Sequence, residues 1–214
     1  MEHLDKDKAT IAAYDRLAQV YQDKFMDMDL YDDTYDAFCD LLPQSGASVL
    51  DVGCGPGMIT RYLHRKRPDF QLFGIDAGPN MIALAKANVP EARFEVMDAR
   101  AIGTLPEKFD GIISGFCLPY LSISECNQFF ADTHSLLHPG GILYFSVIED
   151  SASKSGWESS SDGKAQFHVY YHEADYLLEG VRANGFEVVD VMRKSYPKGE
   201  GKYLLNLIVL ARKI

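Results

Sequence analysis

The chain has 214 residues, 47% of them hydrophobic and 24% charged, and a formal net charge of −10. That length and composition fit one domain with a core of ordinary size. The acidic balance, without a dense Lys/Arg run, argues against a nucleic-acid partner, and no apolar stretch reaches the roughly 20 residues that a membrane-spanning helix needs.

In chain order, the opening "MEHLDKDKAT" is charged and lacks the apolar stretch of a signal peptide. The four cysteines, Cys39, Cys54, Cys117 and Cys126, form no CxxC pair and no zinc spacing. A cytoplasmic protein with reduced thiols and no metal site is therefore expected. "DKATIAAYDRLAQVYQDKF" sets Ile11, Tyr14, Leu17, Ala18, Tyr21 and Phe25 at helical spacing and predicts one amphipathic helix. A second helix is predicted from Tyr31 to Leu42, stopped by Pro43. "ASVLDV" reads as a short strand covered on both faces. A helix from about Met58 to Arg65 follows. Then come the strand "FQLFGID", the helix "NMIALAKANV", and the strands "RFEVMDA" and "FDGIISGF".

"SISECNQFFADTHSLLHP" predicts a helix capped by Ser122 or Ser124, and "GGILYFSVIE" a fifth strand. "RYLHRKRPDF", the most basic stretch, reads as a helix end with cations near the C-terminal dipole. The serine-rich "DSASKSGWESSSDGK", residues 150–164, predicts a loop or flap carrying Trp157. "EADYLLEGVRANGFEVVDVMRK" predicts a helix, a stop at Gly185 and a strand, and "KYLLNLIVLARK" a final strand. These last two strands, joined through "SYPKGEGK", predict an antiparallel hairpin. The alternation predicts an α/β fold: a doubly wound, Rossmann-like seven-stranded sheet, mostly parallel with an antiparallel last strand, and helices on both faces.

Ligands of such sheets sit beyond the carboxyl ends of the strands, near the switch in strand order. "VLDVGCGPGMI" places Gly53, Gly55 and Gly57 at that point. The spacing is GxGxG, and Met58 stands where a dinucleotide fingerprint has its third glycine. Asp76 ends the next strand, where its two oxygens can accept both hydroxyls of a ribose. Asp98 can accept from an amino group, with the Ala99 backbone as a second contact to a purine edge. The set reads as a nucleoside pocket without a phosphate cradle.

"VLDVGCGPG", "GIDAGPNMI", "FEVMDA", "FDGIISGFCLPYL" and "LLHPGGILYFS" resemble, in order, the motifs of class I S-adenosylmethionine-dependent methyltransferases of the small-molecule type. The resemblance covers roughly residues 47–148. "YDRLAQVYQ" is similar to the helix that caps the cofactor in many small-molecule members. The resemblance implies S-adenosyl-L-methionine as cofactor, with Asp51 and the loop of Gly53, Gly55 and Gly57 along its methionine part. It implies Asp76 on the ribose, Met81 over one face of the adenine, and Asp98 and Ala99 on the adenine edge. Ser114 and Gly115 would lie beside the methionine, and Phe116 against the adenosine or the transferred methyl. Simple structural roles stay open for several of these: Asp98 as a helix cap, Met81 as helix packing, Phe116 as core.

One domain is expected, with a helical cap over 1–45, a cofactor-binding core over 46–148, a flap or insertion over 149–172, and a helix and hairpin over 173–214. No catalytic residue is assigned. Candidates for contact with the acceptor are Tyr14 and Tyr21, which share a helix face, and His168 and Tyr171 in "FHVYYHEAD". Alternation there puts His168 and Tyr170 on one face and Val169 and Tyr171 on the other. The Asn/Asp-Pro-Pro-Tyr run of nucleobase-amino methyltransferases is absent after the fourth strand, where Gly115, Phe116, Cys117 and Leu118 stand. The expected reaction is O- or N-methylation of a small molecule. A nucleic-acid methyltransferase, a non-catalytic S-adenosylmethionine-binding module and a nicotinamide-dependent oxidoreductase are the rival readings.

Overall fold

The computed structural model describes residues 2–160, 163, 165–199 and 201–214. Helices α1 (Glu2–Arg16), α2 (Ala18–Phe25) and α3 (Asp32–Asp40) precede strand β1 (Ser48–Val52). Then follow α4 (Met58–Lys66), β2 (Gln71–Asp76), α5 (Pro79–Asn88), β3 (Arg93–Val96) and β4 (Phe109–Ser114). Next are α6 (Ile123–Leu136), β5 (Leu137–Ile148), β6 (Gly156–Ser159) and β7 (Gln166–Val169). The chain closes with α7 (Ala174–Ala183), β8 (Phe186–Gly199) and β9 (Lys202–Lys213).

Seven strands form one sheet in the order β3-β2-β1-β4-β5-β9-β8. β9 runs antiparallel to both its neighbours, and the remaining pairs are parallel. The order reverses at β1 and β4, so a crevice opens beyond their carboxyl ends. Period-two alternation explains how the sheet serves two layers. Leu50, Ile112, Phe145 and Val209 point to one face and pack with Phe129, Phe130, Leu177 and Val181 of α6 and α7. Val49, Ile113, Tyr144 and Ile208 point to the other and pack with Tyr35, Phe38, Ile59 and Leu63 of α3 and α4. A smaller cluster seats α5 through Ile82, Ala85 and Val89 against Phe94 and Cys54.

Three local predictions are corrected. The single N-terminal helix is two helices, broken at Leu17, whose φ of −97° and ψ of 13° leave the helical region. In an unbroken helix Tyr14 and Tyr21 would stand about 10.5 Å apart along the axis; here their ring centroids are 6.0 Å apart. The predicted loop over 150–164 contains strand β6, which pairs with β7 as a small hairpin in register Trp157↔His168. Residues 161, 162 and 164 of that stretch lie outside the described residues. The "SYPKGEGK" turn is shorter than predicted, because β8 runs on to Gly199, paired with Lys202. Ser122 caps α6 as predicted, in a reciprocal capping box with Glu125. Among the described residues no helix is long and apolar enough to cross a membrane, and no group of three or more His, Cys, Asp or Glu could hold a metal ion.

Candidate functional site

A cavity opens beyond the carboxyl ends of β1, β2 and β4, beneath α1 and α2. Its floor is the loop after β1. Gly53 N–H and Cys54 N–H both donate to Ile75 O, at 2.8 and 2.9 Å, pinning the loop to the end of β2. A Cβ at Gly53 would fall 2.8 Å from Cβ of Cys117, which explains the glycine: two backbones approach there. Gly55 N–H donates to Asp76 Oδ2 at 2.9 Å, and Gly78 N–H to Asp76 Oδ1 at 2.8 Å. A carboxylate offers about four lone-pair sites. The two backbone bonds hold Asp76 in place and leave capacity for two further donors from the cavity. Burial pushes the Asp76 carboxyl up from its usual pKa, and the two backbone donors oppose that shift.

Gly55, Asp76, Met81, Asp98, Ala99 and Gly115 line the cavity. So do Gly53, Phe116, Tyr14, Tyr21 and His168. Asp98 also caps the 3-10 turn that follows it, accepting from Arg100 N–H at 2.9 Å. Phe116 has φ of +56°, the left-handed region that a bulky residue seldom occupies. Ser146 Oγ accepts its N–H at 3.0 Å, and its ring lies 5.1 Å from that of Tyr31. A strained backbone at the end of a central strand is characteristic of a functional site.

Four predicted site residues are not among those lining the cavity. Asp51 is 2% exposed. Its Oδ2 accepts from Thr60 Oγ1 at 2.6 Å, and its Oδ1 is buried without a hydrogen-bond partner. Burial pushes its pKa up to about 7, against the pull of Thr60. Ser114 is fully buried, and its Oγ is likewise without a partner. Gly57 caps α4 with φ of 85°, and a Cβ there would meet Ala85 at 3.3 Å. These three support the floor. Tyr171 is turned away by the alternation of its segment: its hydroxyl donates to Glu158 and its N–H to Ser155 Oγ at 3.0 Å.

Of the lining residues that escaped sequence reasoning, three bear most on the chemistry: Tyr120, Arg100 and Asp7. Tyr120, set by a 3-10 turn at Leu118–Tyr120, shares a hydroxyl–hydroxyl hydrogen bond with Tyr14. Burial pushes both phenols above their usual pKa. Arg100 reaches Asp7 at 3.1 Å, Asp98 at 3.2 Å, Glu125, and Tyr120 O at 2.8 Å. Burial works against its charge, and Glu125, Asp98 and Asp7 more than offset this, holding its pKa above the usual value. Asp7 lines the cavity with it. Asp7 and Arg100 lie outside the quoted motifs and Tyr120 stands near the end of one without a role, because long-range folding brings the three together.

The cap is tied down at several points. Asp15 accepts from Asn80 N–H at 2.6 Å and from its side-chain amide at 3.0 Å, so α1 caps the start of α5. His168 N–H donates to Thr10 Oγ1 at 3.0 Å, joining β7 to α1. Phe167 lies 4.2 Å from Tyr14, and Trp157 5.5 Å from His168, ring to ring.

Residues 49–141 match a family model described as a methyltransferase domain. The chain is 34% identical over 180 residues to protein 235L of Invertebrate iridescent virus 6, named as a methyltransferase, with 78% of this chain and 66% of that protein covered. It is 32% identical over 161 residues to trans-aconitate 2-methyltransferase of Escherichia coli O157:H7, covering 69% of this chain and 59% of that protein. The chain thus spans 59 to 66% of the length of these curated relatives. Among solved structures, the DhpI-SAH complex superposes with a TM-score of 0.71 over 97% of each chain at 19% identity. An S-adenosylmethionine-dependent methyltransferase from Clostridium acetobutylicum superposes with a TM-score of 0.70, over 94% of this chain and 98% of that one, at 18% identity. These structural likenesses establish the fold.

Proposed function

Because the chain belongs to the class I S-adenosylmethionine-dependent methyltransferases, we propose that it binds S-adenosyl-L-methionine and methylates a small-molecule acceptor on oxygen or nitrogen. The observation that carries this reading is Asp76, held by Gly55 and Gly78 N–H groups at the mouth of the glycine loop with accepting capacity left over. A ribose diol matches that capacity. Asp98 and Ala99, one strand over, suit an adenine edge, and Met81 an adenine face. The unpartnered Asp51 Oδ1 and Ser114 Oγ behind the loop suit the polar methionine end.

S-adenosylmethionine, when bound, supplies a methyl group on a sulfonium for in-line displacement by the acceptor. The chain's own residues bind, orient and exclude water. In this reading residues 1–45 cap the core of 46–148, residues 149–172 flank the acceptor, and 173–214 complete the sheet. Tyr14, Tyr21 and Tyr120 present aromatic faces that tolerate a sulfonium through cation–π attraction. Phe116 is held by Ser146 where the acceptor meets the methyl group. The relatives named for trans-aconitate place a carboxylate oxygen among the acceptors to be tested.

Calorimetry tests the cofactor: S-adenosylmethionine and S-adenosylhomocysteine are expected to bind, and NADH is not. Saturable heat with NADH alone would refute the reading. Methyl-labelled cofactor offered with a metabolite extract or with total RNA and DNA tests the acceptor. Label appearing only in the polymers would overturn the small-molecule assignment.

A further inference from the structure

Resting on that methyltransferase reading, we infer that the acceptor chamber selects a cationic amine and rejects carboxylates. The charges lining the cavity point this way. Asp7 is the lining acid that the cofactor reading does not use, Asp76 and Asp98 being given there to ribose and adenine, and Arg100 is the Lys/Arg cation among the described lining residues. A carboxylate acceptor would need that guanidinium, because planar, two-point pairing is how arginine recognises carboxylates.

The fork of Arg100 is already spent. Its Nε donates to Glu125 and one terminal nitrogen reaches both oxygens of Asp98, at 3.2 and 3.4 Å. The other terminal nitrogen bonds Tyr120 O at 2.8 Å and pairs with Asp7 at 3.1 Å. Arginine has five N–H donors and no more. Three carboxylates surround one guanidinium, so the cluster keeps a net negative charge after pairing. An incoming carboxylate meets acids and no vacant donor on Arg100.

The apolar part of the wall favours the same charge. Tyr14 stands edge-on to Tyr21 and Tyr120, with centroids at 6.0 and 5.1 Å, and packs on Phe167 at 4.2 Å. The hydroxyls of Tyr14 and Tyr120 are committed to each other. Faces of such rings attract cations, and the net charge of −10 on the whole chain steers cations inward. Methylation of an amine joins its lone pair to the methyl carbon, leaves the C–S pair on sulfur as a thioether, and releases to water the proton that the ammonium carried.

Two probes of matched shape and opposite charge decide the matter: phenethylammonium and 3-phenylpropionate, with tricarballylate as a polyanion. Their binding is measured by calorimetry at pH 7, on the chain alone and on the chain saturated with S-adenosylhomocysteine. We expect the cation to bind at least tenfold more tightly than its isostere, and no measurable heat from tricarballylate. Asp7→Asn, which lowers the acid count, should narrow the ratio. Equal affinities, an anion preference, or a ratio unmoved by Asp7→Asn would overturn the inference. Failure of S-adenosylhomocysteine to bind would instead strike the methyltransferase reading and leave the charge ratio measurable on the chain alone.

Discussion

Asp51 makes the folded chain sensitive to pH in an unusual direction. Its carboxyl titrates near 3.8 when exposed and is pushed up to about 7 by burial. A raised folded-state pKa means that the native protein binds this proton more tightly than the unfolded chain does. Stability from this group is therefore fully present at low pH and is lost as pH rises through about 7. Between pH 5 and pH 8 the loss comes to roughly 3 kcal/mol, about two pKa units at 1.36 kcal/mol each. Asp51→Asn keeps an acceptor for Thr60 Oγ1 and does not titrate. Other groups shift with pH as well, so the informative quantity is the difference between the two proteins. Urea unfolding at pH 5, 6, 7 and 8 should show the variant gaining about 3 kcal/mol on the parent across the range. Parallel stability curves would show that Asp51 does not carry a buried charge at neutral pH.

Three further outcomes are expected. Asp76→Ala should weaken S-adenosylhomocysteine binding about ten- to a hundredfold, the scale of hydrogen bonds to a charged partner; calorimetry with unchanged affinity would remove Asp76 from the site. Tyr21→Ala should lower kcat/KM for methyl transfer at least tenfold while costing about 1–3 kcal/mol of stability, and a variant that loses only stability would make Tyr21 mere packing. Trp157 is 48% exposed and faces His168 of the cavity wall; its fluorescence should respond when cofactor and acceptor bind together, and indifference to both would place residues 150–165 outside the acceptor's reach.

The sheet was legible in the sequence because buried strands advertise themselves. β1, β4 and the buried stretch of β9 over Asn206–Ala211 are largely apolar runs in the middle of the sheet. The glycine-loop wall of the cavity was legible for a different reason: Gly53, Gly55, Asp76 and Asp98 owe their positions to consecutive strand ends. The opposite wall was legible only in part. His168 and Tyr171 were both marked by composition, and backbone alternation separates the lining residue from the one buried away from the cavity. Arg100 and Tyr120 carry no local signal, since their partners lie as far off as Asp7 and Tyr14. The hairpin β6–β7 was hidden by serines, which suit a loop and tolerate a short exposed strand equally well.

The seating of α1 has a bearing on when the molecule becomes competent. The bond of this helix to His168 bridges 158 positions, and its bonds to Asn80 bridge 65. Its docking therefore needs segments distant in sequence, β7 among them. Of its described side chains only Thr10 and Ala13 are fully buried, and Tyr14 is half-buried against Phe167 and Tyr120. The amide protons of α1 should exchange with solvent by local opening, well below the free energy that guards β1 and β4. This helix is therefore expected to be the first to lift, and the cavity opens beneath it.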